Sequence, residues 1–288
     1  MVLESLIGPA KAEKKPWDLF FLGILYSTIA IFLSLWIFRD QSSLIMVFLT
    51  VMAAIPLVYK TMKYEEKKNF REIRLLKEHT RALVFLTALF LGILFSFSLW
   101  YVFLPGSLVE PLFSIQTQTI KAINAQISAI QGFSISWNTI DVTGSISQSS
   151  LFSQILLNNI KVLLFCIFFS FFYGAGAIFI LTWNASVISA AIGSYIRNNI
   201  ATVTGLSYFS VVTTGIMRYM THGIFEIFAY FIGGLAGGII SIAVIRHEFF
   251  SSKFKKVMVD SIDLFLIAVA LLFIGAYVEV YVTPLIFA

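Results

Sequence analysis

Thr221-His222-Gly223-Ile224-Phe225-Glu226 leads into Ile227–Ile245, a run without a single charge. About 20 apolar residues cross a bilayer as a helix, so Gly223–Ile245 reads as a membrane span. His222 and Glu226 are four residues apart, which puts both on one face of that helix. Ionisable groups at membrane depth are costly and turn inward, toward a partner or a polar cavity. This stretch therefore decides the class of fold and points to the first place to look for function.

The rest of the chain agrees with lipid as the solvent. Of 288 residues, 59% are hydrophobic and only 12% charged, with 30 phenylalanines; a soluble domain carries about twice that charge. Trp17–Phe38, Ser43–Tyr59, Leu83–Leu104, Ile160–Leu181 and Ser261–Ile286 are further candidate spans. Asn184–Ile196 is a shorter, Ala/Ser/Gly-rich seventh. The expected fold class is all-α: a polytopic transmembrane bundle of about seven spans with an extracytoplasmic amphipathic helix. The first sixteen residues are polar and are followed by no short apolar region with a cleavage site, so the first span itself serves as insertion signal.

Charge placement sets the expected orientation. Lys60, Lys63, Lys67, Lys68, Arg71, Arg74, Lys77 and Arg81 crowd residues 60–81, and Arg246, Lys253, Lys255 and Lys256 follow the sixth span. The long connection 105–159 has only Lys121. Basic connections are cytoplasmic, which puts the N-terminus inside, 105–159 outside and the C-terminus outside, in a cell membrane. That parity requires 184–196 to cross; a re-entrant segment is the rival reading. Glu65, Glu66, Glu72 and Glu78 interleave with the basic residues, so the loop is a topology signal and no nucleic-acid patch. It also reads as helical, with Lys68–Glu72 and Arg74–Glu78 at i,i+4.

In the outer connection, Phe113, Ile120, Ile123, Ile127 and Ile130 recur at helical steps from Glu110-Pro111 to Gly132, with Gln, Thr, Ser and Asn on the other face. This amphipathic helix is expected on the bilayer or the bundle, or as a contact for a partner or second copy. Gly233/Gly237 and Gly234/Gly238 form two overlapping GxxxG patterns. Gly174, Gly176 and Gly193 add small residues that let helix backbones approach, through intramolecular packing or a homodimer seam. Asp260 and Asp263 are expected at the inner N-terminus of the last span, where the helix dipole favours anions.

No P-loop, dinucleotide fingerprint, paired-cysteine metal motif or His-Glu-x-x-His occurs. The lone cysteine, Cys166, allows no intrachain disulfide. Asn184-Ala185-Ser186 matches a glycosylation sequon but sits in a membrane segment and is given no weight. The chemistry-bearing residues are instead His222 and Glu226 opening the sixth span, Glu279 near the end of the seventh, and Asn184 opening the fifth. His222, Glu226 and Glu279 share the outer half if the last two spans pack as a hairpin. Such a set could bind a divalent cation, relay protons, share one proton because two close carboxylates cannot both stay charged cheaply, or sit at the interface touching water.

Four stretches resemble the stage II sporulation protein M family: Asn158-Asn159-Ile160 opening a span that runs into Gly174-Ala175-Gly176; Trp183-Asn184 followed by Gly193; His222-Gly223-Ile224-Phe225-Glu226 with Ala229-Tyr230-Phe231; and Glu279 with Thr283-Pro284. The resemblance divides the chain into a two-span hairpin with a basic cytoplasmic helix, 1–82, and a five-span core, 83–288, with its outer segment 105–159. Phe225 and Phe228 stand where the family pattern often has proline, so it gives no ground for a kink there. It implies a membrane protein without established catalysis. Founding members act in endospore formation beside peptidoglycan-remodelling enzymes, but relatives occur in organisms that form no spores. What carries over is the five-span fold and the polar signature Asn184, His222, Glu226 and Glu279.

Three functional readings follow. The first is a scaffold that organises protein partners on the extracytoplasmic side. The second is a channel or transporter using the His222/Glu226/Glu279 cluster. The third is a metal-dependent intramembrane hydrolase with a divalent cation.

Overall fold

The structure, a computed structural model, describes residues 16–66, 75–123, 143–173, 176–200, 203–205, 207–245 and 251–287. Among them it is all-helical. Helices α1 (Pro16–Ile37), α2 (Ser42–Glu66) and α3 (Leu75–Phe103) are followed by the short α4 (Gly106–Leu112) and α5 (114–123). Then come α6 (Thr143–Tyr173), α7 (Ala177–Ile200), α8 (Ser207–Ile245) and α9 (Ser252–Tyr277). A π-helical turn, Val278–Val282, and α10 (Thr283–Ile286) end the chain.

Seven helices are long and apolar enough to cross a membrane. Trp17 and Trp36, 72% and 83% exposed, mark the two ends of α1. Nineteen residues at 1.5 Å separate them by about 28 Å, close to the hydrocarbon thickness, as for an aromatic belt at each interface.

Several boundaries differ from those expected. The fourth span is Gln148–Phe172, not Ile160–Leu181; the chain turns at Gly176 and the fifth span is Ala177–Ile200. Hydropathy alone runs the two together, because the break is a short turn of small residues. The sixth helix begins at Ser207, so His222 and Glu226 lie inside it instead of opening it. It runs on through Phe225 and Phe228 without a break. The last helix starts at Ser252, whose preceding Ser251 hydroxyl accepts from the Phe254 N–H at 3.0 Å. Asp260 and Asp263 are therefore inside α9 and do not face its N-terminus.

α8 is the central helix. Of its most apolar window 82% is buried, against 22% for α6 and for α9, which flank it. Glycines set how close these helices come. A Cβ on Gly237 would lie 2.4 Å from the Ile167 carbonyl oxygen of α6. One on Gly233 would meet Leu163 at 2.3 Å, and one on Gly234 would meet Ala177 at 2.7 Å. These glycines serve contacts within one chain; Gly238 is buried beside them. On α7, Gly193 abuts the Tyr101 ring of α3. Gly174 lies outside the described residues.

The same device joins α1 to α3, where no glycine pattern drew attention. A Cβ on Gly92 would fall 2.1 Å from the Phe20 carbonyl oxygen, and one on Gly23 would fall 2.5 Å from that of Leu89. Beside this crossing the Trp100 indole N–H donates to Thr28 Oγ1 at 3.1 Å, and Thr28 and Ser96 hydroxyls pair at 3.0 Å. One hydrophobic cluster runs from Leu19 through Leu272, so packing is continuous across residue 82.

The connection after α3 is drawn into the bundle. Val109, Leu112 and Phe113 are buried, with Phe113 edge-on to Phe97 and tilted against Tyr101. Gln116, on the face expected to be solvated, is wholly buried. Its Oε1 accepts from the Ser43 hydroxyl at 2.6 Å, and its Nε2 donates to the Ser43 carbonyl at 3.3 Å and to Ser186 Oγ at 3.2 Å. A buried amide needs such partners, and α2 and α7 supply them. Phe113 and Ile120 of the expected contact stripe thus pack inward, while Ile123 is 45% exposed. Ile127 and Ile130 lie outside the described residues, as do the pairs Lys68–Glu72 and Arg74–Glu78.

Candidate functional site

The polar centre of the bundle is built on α6, α8 and the end of α9. Asn159 is the residue that organises it. It stands within the span Gln148–Phe172, about 16 Å along the helix from Gln148 and about 20 Å from Phe172. Only 6% of Asn159 is exposed. Its Nδ2 donates to Glu226 Oε1 at 2.5 Å, and its Oδ1 accepts from the Tyr230 hydroxyl at 3.1 Å. Glu226 and Tyr230 are four residues apart on α8 and so present both groups to the one asparagine. The asparagine pair, expected to open a span, lies inside it. One carboxamide with two partners can be buried there without leaving a polar atom unmatched, while Asn158 stays on the exposed face.

Glu279 enters from the π turn. Pro284 has no N–H to give and its ring crowds the carbonyl four residues back. The turn widens instead, and the Thr283 hydroxyl and N–H both reach the Val278 carbonyl, the hydroxyl at 3.1 Å. Single π turns of this kind gather at functional sites. The Glu279 carboxyl comes near enough to Glu226 for their charges to interact, and the Tyr230 hydroxyl feels both. Gly275, one turn before Glu279, permits the approach: a Cβ there would lie 3.3 Å from Glu226 Cγ and 3.3 Å from Phe225 Cβ. Two interacting carboxyls in a low-dielectric setting cannot both stay charged cheaply.

His222 lies one turn from Glu226, and its Nδ1 is buried without a hydrogen-bond partner among the described residues. Among those residues no three His, Cys, Asp or Glu side chains gather into a group that could hold a metal ion. Of the set His222, Glu226 and Glu279, Glu226 has Asn159 as a hydrogen-bond partner through one oxygen. Asn184 stands apart. It is the eighth residue of α7, not the first, and its Nδ2 donates to its own helix at the Ile180 carbonyl, 2.8 Å away.

Asn159 and Tyr230 lie in stretches that resemble the family, yet neither is among the candidate site residues that the sequence suggests. An asparagine inside an apolar run and a tyrosine four residues after Glu226 were the available signals. Neither carries a charge, so neither demands a partner as loudly as a glutamate.

The model of the family described as Stage II sporulation protein M matches residues 81–284. An uncharacterized protein of Methanocaldococcus jannaschii is 31% identical over 137 residues, which covers 46% of this chain and 71% of that relative. No solved structure matches the chain.

Proposed function

The chain belongs to the stage II sporulation protein M family, and from that premise we propose that this multi-pass membrane protein is a non-catalytic scaffold holding protein partners on its extracytoplasmic side. One observation carries the reading. Asn159 gives its amide to Glu226 and its carbonyl to Tyr230, and these two bonds tie α6 to α8 in mid-bundle. A strut needs no more than that. The Lys/Arg bias supports an N-terminus inside and a C-terminus outside. The test is crosslinking of the tagged chain in its native membrane. A scaffold keeps a defined, stoichiometric extracytoplasmic partner in the Glu226→Gln variant; loss of that partner on a conservative change at the centre argues against it.

The interacting carboxyls of Glu226 and Glu279 favour a second reading, movement of protons or cations across the bilayer. Reconstituted protein under an imposed membrane potential then shows a flux that Glu226→Gln abolishes. A wild-type flux equal to that of empty vesicles removes this reading and leaves the first.

A further inference from the structure

A separate cleft lies at the end of the bundle where α3 stops and α7 nears its end. Its volume is about 440 Å³, and its lining includes Glu110, Ser114, Thr117, Lys121, Ser194 and Arg197. Arg197 is the fixed element. Its Nη1 donates to the carbonyls of Tyr101 and Leu104, each at 2.9 Å. Those carbonyls lie at the C-terminal end of α3, where helix acceptors lack partners and a cation is favoured. The two bonds hold the guanidinium in place. They leave its remaining N–H groups unassigned among the described residues, with Nη2 beside Gly106, where a Cβ would lie 3.8 Å away. Neither Lys121 nor Glu110 forms an ion pair among the described residues, and both are exposed. Two cations, one carboxylate and several hydroxyl-bearing residues thus share one lining, with the balance positive.

The depth of this cleft also matters. It opens where the apolar spans Ala82–Phe103 and Ala177–Ile200 end, beside Phe103, which is 73% exposed. Helices that cross a bilayer end at the headgroup level, where aromatic rings gather. We propose that this cleft binds a phosphate ester, held by Arg197 and Lys121, with hydroxyls such as Thr117 completing the donors. Arginine presents planar forked donors that match phosphate oxygens, and lysine adds a point charge. Glu110 disfavours an anion at its own side of the cleft and suits an amine or hydroxyl carried on the same molecule. The ester can belong to a lipid headgroup or to a soluble molecule; the chemistry is shared.

The test uses full-length protein in phosphate-free maltoside micelles, with phosphatidylglycerol and glycerol 1-phosphate as separate probes followed by native mass spectrometry. Saturable binding of one probe molecule per chain is expected. Losing a hydrogen bond to a charged group weakens binding about tenfold, and that is expected for Lys121→Gln and for Arg197→Gln. Lys121 is exposed, so its variant keeps the test sharp if Arg197→Gln disturbs the end of α3. Ser107→Ala, whose side chain is not on the lining, should bind like wild type. Binding of phosphatidylglycerol alone assigns the cleft to a lipid headgroup, and displacement by glycerol 1-phosphate assigns it to a soluble ester. Absence of saturable binding by either probe, or binding unchanged in both the Lys121 and Arg197 variants, overturns the proposal.

Discussion

Asn159 of α6 and Glu226 of α8 are joined by a 2.5 Å hydrogen bond in the middle of the bundle, and the same asparagine holds Tyr230 on its other side. Removing the amide leaves a carboxyl and a phenol without their partner in a setting where water cannot substitute. Asn159→Leu should therefore lower stability by about 1–3 kcal/mol, read as a fall in thermal midpoint in detergent. Glu226→Gln, which can still accept from Asn159, should cost less. Equal losses in the two variants would mean that the bond is incidental to packing.

Gly237 and Gly223 sit on one helix with opposite surroundings. A Cβ at Gly237 would press within 2.4 Å of the Ile167 carbonyl oxygen, whereas one at Gly223 meets nothing within 4 Å. Gly237→Ala should destabilise by about 1–3 kcal/mol through overpacking. Gly223→Ala should be neutral or gain up to about 1 kcal/mol from helix propensity. A thermal melt of the two variants side by side checks this, and a reversed order would refute the α6–α8 contact.

The π turn carries Glu279, and Pro284 lies two residues past its end. Pro284→Ala restores an N–H, lets the helix tighten and should rotate Glu279 away from the centre. A hydrophobic carbodiimide, which modifies protonated carboxyls in membranes, reports the change. Peptide mass mapping should show the share of label between Glu226 and Glu279 altered in the variant. An unaltered share would show that Pro284 does not control the geometry.

Orientation is open to a direct chemical test. Cys166 is buried, so wild-type background should be low. Ser107→Cys and Ser252→Cys place thiols on exposed positions at opposite ends of the bundle. With the N-terminus cytoplasmic, a membrane-impermeant maleimide should label Ser107→Cys in intact cells and Ser252→Cys only after permeabilisation. The opposite pattern inverts the topology.

The sequence by itself determined the solvent, the secondary structure class and the number of crossings. Runs such as Leu83–Leu104 are long enough to span and too apolar to do otherwise, and in lipid every backbone group must be satisfied within its helix. It also determined that Glu226 and Glu279 need company, because an intramembrane charge is too costly to leave alone. What it left undecided was which atoms provide that company. Asn159 and Tyr230 are uncharged, and their roles follow from how α6 lies on α8.

That placement belongs to the tertiary structure, and the reason is steric. Gly237 against Ile167 and Gly92 against Phe20 fix how near and at what register the helices meet, and no periodicity in one helix encodes the partner opposite. Residues 105–123 make the same point. Their amphipathic pattern predicted a helix on the bilayer or on the bundle, and the buried amide of Gln116, matched by Ser43 and Ser186, places it on the bundle. Helix boundaries failed where a turn was short or a polar residue was satisfied in place, as at Gly176 and Asn159, since hydropathy weighs each residue without knowing its partners.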